Sequence, residues 1–251
     1  MKLTKLPRFE RSLLKSDKFP SIKPIRSFVH RQNSLSKQQQ DAFDTLLAAY
    51  SLATNQGFLN LDKIFQRLAP TTLEIGFGMG HHLLAQAKQY PEQNFLGVEV
   101  HRPGIATVLT DIANSKLSNL RIIYADAVEI LDRCIENNSL HMIQIFFPDP
   151  WPKRRHHKRR LIQLEFTRLL QNKLKTGGRL QLATDWENYA QHMLLVLENT
   201  SGLQNSAGKN KFSPRLPQRT LTKFEQRGQR LGHLIWDLEF YSTTSTIREN
   251  C

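Results

Sequence analysis

The chain has 251 residues, 39% of them hydrophobic, with two cysteines and a net charge of +13. That length and apolar share suit one α/β domain with extensions. No apolar run approaches the roughly 20 residues that span a bilayer, Pro7, Glu10, Asp17 and Pro20 interrupt any signal-peptide core, and the cysteines suggest neither a disulfide framework nor a metal site, so a cytoplasmic, non-membrane protein is expected.

Residues 1–34 are basic and punctuated by proline, and are expected to form an N-terminal extension. Ser36 and Gln39 make a capping-box pair that predicts a helix over residues 37–52. Apolar runs at 71–73, 94–98, 120–124, 140–147 and 179–183 read as strands, alternating with helical stretches that include 81–88, 127–135 and 186–197. Tyr90-Pro91 and Thr176-Gly177-Gly178 are expected to close helices. Residues 200–218 read as a loop, 234–241 as a last strand and 242–251 as a tail. No repeat of fixed period is visible. The predicted fold is α/β, a doubly wound, mostly parallel sheet of the Rossmann-like class, with the folded domain at 35–241.

An acidic residue follows each of the first five predicted strands: Glu74, Glu99, Asp126, Asp149 and Asp185, spaced by 25, 27, 23 and 36 residues. Such spacings match strand–helix–strand units. Ligands of open parallel sheets sit beyond the carboxyl ends of the strands, so this row of carboxylates marks a candidate site. Its acidity suits a ligand with ribose hydroxyls and positive charge.

The first carboxylate opens the string Glu74-Ile75-Gly76-Phe77-Gly78-Met79-Gly80. The dinucleotide fingerprint G-x-G-x-x-G would need glycine at position 81, where His81 stands. The spacing E-x-G-x-G-x-G instead resembles motif I of S-adenosylmethionine-dependent methyltransferases. Glu74, Gly76, Gly78 and Gly80 are then cofactor candidates, with Glu99 facing the ribose diol and Asp126 near the adenine.

Charge indicates the partner. Residues 1–31 hold nine Lys/Arg and two acids, and residues 153–160 hold six Lys/Arg and no acid, so these two segments carry the whole excess. Concentrated basic charge is the electrostatic footprint of a nucleic-acid binder. A solubilising tail is the plain alternative for the first segment, but the second abuts a predicted site strand. Between them stands Phe146-Phe147-Pro148-Asp149-Pro150-Trp151-Pro152-Lys153. Its prolines stiffen the turn around Asp149, and Trp151 offers a stacking face to an unpaired base. The structural alternative makes Trp151 a core residue and Asp149 a helix N-cap.

Over residues 24–241 the chain resembles the bacterial tRNA (guanine-N7)-methyltransferase family. The resemblance rests on Arg26-Ser27-Phe28-Val29, on the segments 73–80, 95–100, 146–160, 183–186 and 222–228, and on Asp126-Ala127. It departs at His30 and Ser34, where members often carry arginine. It implies S-adenosylmethionine as cofactor, tRNA as substrate and a guanosine of the variable loop (position 46) as target. Glu74, Glu99, Asp126 and Asp149 are then cofactor contacts, with Asp149 also the catalytic residue. Lys153, Asp185, Thr222, Lys223, Phe224 and Glu225 are implied substrate contacts. Arg155, His156, His157, Lys158, Arg159 and Arg160 are the implied RNA strip. No metal and no obligatory protein partner are expected, and the adjacent pairs His81-His82 and His156-His157 are poorly placed to share an ion. Two rivals stand beside this reading. One is an exocyclic-amino methyltransferase of RNA or DNA, although Asp149-Pro150-Trp151 lacks the second proline of that class. The other is a non-catalytic RNA-binding module on the same fold, against which the intact glycine motif and Asp149 argue.

Overall fold

A computed structural model describes residues 35–54, 57–221, 225, 232 and 234–243. Helix α1 (Lys37–Tyr50) starts at the predicted cap: the Ser36 hydroxyl accepts from the Gln39 N–H, and the Gln39 side chain accepts from the Ser36 N–H. Helix α2 (Leu61–Phe65) leads into β1 (Thr71–Ile75). There follow α3 (His81–Gln89), β2 (Asn94–Glu99), α4 (Arg102–Ser115), β3 (Leu120–Tyr124), α5 (Ala127–Arg133), β4 (Leu140–Phe146), a 3₁₀ turn (Arg154–Arg159), α6 (Leu164–Lys173), β5 (Leu174–Thr184), α7 (Glu187–Glu198), β6 (Leu203–Asn205) and β7 (Trp236–Ser242).

The strands form one sheet in the order β3-β2-β1-β4-β5-β7-β6. The first five run parallel; β7 lies antiparallel to β5, and β6 antiparallel to β7. The chain leaves β1 toward β2 on one side and later returns to β4 on the other. Their carboxyl ends therefore diverge and open a crevice, the switch point at which doubly wound sheets bind ligands.

Alternation along each strand sets the two faces. Leu73, Leu96, Ile143 and Leu180 are fully buried on one face, in a core shared with Ile130, Leu170 and Met193 of α5, α6 and α7. Burying each such side chain contributes roughly 1.5–3 kcal/mol. On the other face, α1, α3 and α4 pack over β2 and β3 through Phe43, Leu83, Ile105 and Phe95. The same face of β4, β5 and β7 is polar. The Gln144 amide donates to Gln181 Oε1 (3.1 Å) and the Gln181 amide to Glu239 Oε1 (2.8 Å). Ser213 bridges β7 beside this ladder, and the Glu239 N–H donates to Ser213 Oγ at 3.0 Å.

Two expectations are corrected. Thr176-Gly177-Gly178 does not end a helix: α6 stops at Lys173, and the three residues form a bulge in β5, where Leu140 pairs with Leu174 but Met142 already pairs with Arg179. Gly177 sits there at φ +77°, a conformation that a side chain would strain. Residues 200–218 are not all loop, because β6 pairs with β7 and Ser213 bridges Asp237.

Candidate active site at the switch point

The glycine loop leaves β1 with Gly76, Gly78 and Gly80 at φ +73°, +55° and +76°. Glu99, at the end of β2, pins this loop. Its Oε2 accepts from the Gly78 N–H at 2.7 Å, and its Oε1 accepts from the N–H groups of Val100 (2.7 Å) and His101 (2.9 Å). Oε1 is thereby saturated, and Oε2 keeps capacity for one more donor. Gly104 at the start of α4 supports the loop from behind: a Cβ there would lie 1.8 Å from the Gly78 carbonyl oxygen.

Glu74 lies beneath the loop, 4% exposed, and its Oε2 has no hydrogen-bond partner among the described residues. Burial, reinforced by the negative charge of Glu99, pushes its carboxyl up to about 8. A buried carboxyl with an unused oxygen beside an open glycine loop is prepared for a cationic group. Asp126 caps α5, its Oδ1 accepting from the Val128 N–H at 2.8 Å.

Asp149 is exposed on the crevice rim, at the centre of the turn after β4. Phe147 and Trp151, on either side, have φ +53° and +46°. Left-handed backbone at bulky residues is costly and persists only where the surroundings impose it. Two contacts impose it here: the Phe147 N–H donates to the Ala183 carbonyl (2.8 Å), and Arg160 Nε donates to the Pro150 carbonyl (2.9 Å). Two cavities flank the loop. One, of about 240 Å³, is lined by Gly76, Glu99, Phe146, Asp149 and Trp151. The other, of about 460 Å³, is lined by Glu74, Gly78, His82, Phe147 and Arg219.

Residues 68–238 match a family model described as "Putative methyltransferase". A tRNA (guanine-N(7)-)-methyltransferase of Alcanivorax borkumensis is 50% identical over 219 residues, 87% of this chain and 92% of that protein. The protein of the same name from Klebsiella pneumoniae is 51% identical over 219 residues, with the same shares covered. This chain belongs to the tRNA (guanine-N(7)-)-methyltransferase family. The fold also resembles the crystal structure of the 16S rRNA methyltransferase KamB, with a TM-score of 0.56 at 14% identity, covering 77% of this chain and 99% of that one.

Glu74, Gly76, Gly78, Gly80, Glu99 and Asp149 do converge on the two cavities. Asp185 follows β5 on the same rim, half-buried; the N-cap of α7 is Trp186, not Asp185. Asp149 is no N-cap either, since Lys153 precedes the 3₁₀ turn, and Trp151 is half-buried rather than core. The Arg159 guanidinium lies 5.0 Å from the Trp151 ring centroid, and His156 meets that ring edge-on at 5.8 Å.

The basic strip is only partly a surface. Arg155, Lys158 and Arg159 are exposed, while His156 and His157 are half-buried and held below the ordinary histidine range by lost solvation and by neighbouring cations. Arg160 is 1% exposed and cannot meet phosphate. Besides Pro150, it donates to Asn188 Oδ1 at 2.7 Å and lies over the Tyr189 ring, so it braces the Asp149 turn against α7.

Glu225, an implied substrate contact, is buried. Arg219 donates to it (3.0 Å from Nη2 to Oε1) and to Asp237 (2.7 Å from Nε to Oδ1). Thr222, Lys223 and Phe224, like Arg26-Ser27-Phe28-Val29, lie outside the described residues. Sequence reasoning missed Arg219, Gly104 and His82. Buried His82 accepts the Thr220 N–H on Nδ1 at 3.1 Å, which ties α3 to the segment leading to Thr222. Burial holds its imidazole down at about 4, opposed in part by a contact with Gln144 and aided to a smaller degree by the Arg219 cation. No local pattern marks these residues, because each acts on a partner distant in sequence.

Proposed function

We propose that this chain transfers the methyl group of S-adenosylmethionine to N7 of the guanosine at position 46 in the tRNA variable loop, in the cytoplasm. The observation that carries this reading is the strained turn that holds Asp149 on the rim, beside a glycine loop underlain by a buried carboxyl whose Oε2 has no partner among the described residues.

The donor set fits the cofactor. Glu74 suits its ammonium, the spare capacity of Glu99 Oε2 suits a ribose hydroxyl, and Asp126 stands at the next strand end for the adenine. Bound there, S-adenosylmethionine supplies an electrophilic methyl on sulfonium sulfur. Guanine N7 has a lone pair and no proton, so the chain needs no base to activate it. Methylation turns the ring cationic. Asp149 faces that developing charge from a turn already fixed by Arg160 and Ala183, and such preorganised electrostatics often supply the largest catalytic gain. Lys153 and Asp185 flank the position the guanine takes, Thr222, Lys223 and Phe224 are proposed as further substrate contacts, and buried Glu225 acts through its ion pair with Arg219, which lines the cavity beside the glycine loop. Arg155, Lys158 and Arg159, with His156 and His157, meet the RNA backbone; such contacts position the substrate without reading its sequence.

The test is methyl transfer to tRNA transcripts followed by nucleoside mass spectrometry. A transcript with guanosine at position 46 should gain 7-methylguanosine, and its adenosine-46 counterpart should gain none. Equal methylation of both would sink the assignment of the target.

A further inference from the structure

A third cavity lies on the far side of the Pro148–Pro152 turn, away from the cofactor loop. It is an open groove of about 980 Å³ between the 3₁₀ turn and α7. One wall carries exposed Arg154, Arg155 and Lys158. The opposite wall carries Gln191 and Leu195, which share one face of α7 at helical spacing, with Trp186 at its head. No acid lines the groove among the described residues. Its floor is built: buried Arg160 joins the turn to Asn188 of α7 at 2.7 Å and so fixes one wall against the other.

Trp186 has no role in the core that would require it. It is 42% exposed and makes no side-chain capping bond, although it occupies an N-cap where small polar residues serve better. It directly follows Asp185 on the rim. An exposed aromatic opposite a row of cations is the combination that takes unpaired nucleotides, with the base on the ring and the phosphates on the charges.

We propose that this groove binds an unpaired nucleotide next to the methylated guanosine, its base stacked on Trp186 and its phosphates against Arg154, Arg155 and Lys158. The proposal rests on the tRNA reading above and adds a second base subsite to it. RNA whose target guanine sits at Asp149 crosses the Pro150–Pro152 ridge, and the neighbouring nucleotide drops into the groove. Both bases are then splayed from their stack, which is how single-stranded loops are commonly read.

The test compares the parent chain, Trp186→Ala and Trp186→Phe. Each is given intact tRNA and transcripts with an abasic site on either side of the target guanosine. Loss of one base–aromatic stack should weaken binding by about tenfold or more. We expect that loss for the parent on one of the two abasic transcripts, and for Trp186→Ala already on intact tRNA. Trp186→Ala should no longer distinguish that abasic transcript, and Trp186→Phe should restore most of the difference. S-adenosylmethionine affinity, unchanged in all three, certifies the fold. Parent-like binding of intact tRNA by Trp186→Ala, or an abasic penalty that survives in it, would overturn the subsite; a protein partner would then be the better occupant. A parent chain that methylates no tRNA would instead overturn the underlying functional reading.

Discussion

Replacing Glu74 by Gln tests the electrostatics of the cofactor site in the absence of cofactor. The carboxyl is 4% exposed, its Oε2 has no partner among the described residues, and burial with the nearby Glu99 charge raises it from 4.5 to about 8. A carboxyl whose folded pKa is raised contributes stability that is present below its ordinary pKa and lost as pH rises through the folded value. The window here runs from pH 4.5 to about 8. At about 1.4 kcal/mol per pKa unit, the loss is on the order of 5 kcal/mol. Glutamine keeps the shape and cannot ionise. Urea unfolding between pH 5 and 9, without cofactor, should therefore give curves that nearly meet at the acid end. They should separate toward pH 9, where Glu74→Gln is the more stable. Cofactor binding should reverse the order, because a carboxylate pairs with the ammonium and an amide does not. In buffers of different ionisation enthalpy, binding to the parent near pH 7 should release a proton that Glu74→Gln does not release. Unfolding curves that stay parallel across the range would refute the reasoning.

Glu99→Gln should turn one amide N–H against the N–H of Gly78, Val100 or His101, at a cost of about 1–3 kcal/mol; unchanged S-adenosylmethionine affinity would sever Glu99 from the site. Asp149→Ala should slow single-turnover transfer roughly a hundredfold or more, by analogy with loss of one preorganised stabilising group, while tRNA binding largely persists; a near-normal rate would leave Asp149 without a catalytic part. Arg159→Ala should reduce the log–log salt slope of RNA binding by about 0.7–0.9 without lowering the melting temperature. Arg160→Ala should do the opposite, losing stability and keeping the slope; an Arg160→Ala variant with parental stability and a flatter slope would place Arg160 at a phosphate.

The parallel strands were readable from the chain because each is a short apolar run closed by an acid, and the run matched the strand within about two residues at β1 to β4. Ser36 and Gln39 announced α1 because both halves of a capping box are local. Failures occurred where the cause is distant. Arg160 sits in a run of cations, and nothing local separates it from exposed Arg159; its burial depends on Asn188, 28 residues away. Glu225, implied as a substrate contact, is instead buried against Arg219, which Asp237 of β7 holds in place. Thr176-Gly177-Gly178 has the composition of a helix end, but the pairing of β4 with β5 draws it into a strand as a bulge. The carboxylate row identified the rim, whereas the strain at Phe147 and Trp151 that aims Asp149 is visible only in backbone angles.

The central claim is that the methyl acceptor is guanine N7, a nitrogen with no proton to lose. The most direct test is nucleoside mass spectrometry of tRNA carrying 7-deazaguanosine at the target position, after incubation with the protein and S-adenosylmethionine. That analogue has carbon in place of the attacking nitrogen and keeps the exocyclic amine. The account predicts 7-methylguanosine in unmodified tRNA and no transfer to the 7-deaza nucleotide. Continued methylation of the 7-deaza nucleotide would contradict it and promote an exocyclic-amino methyltransferase.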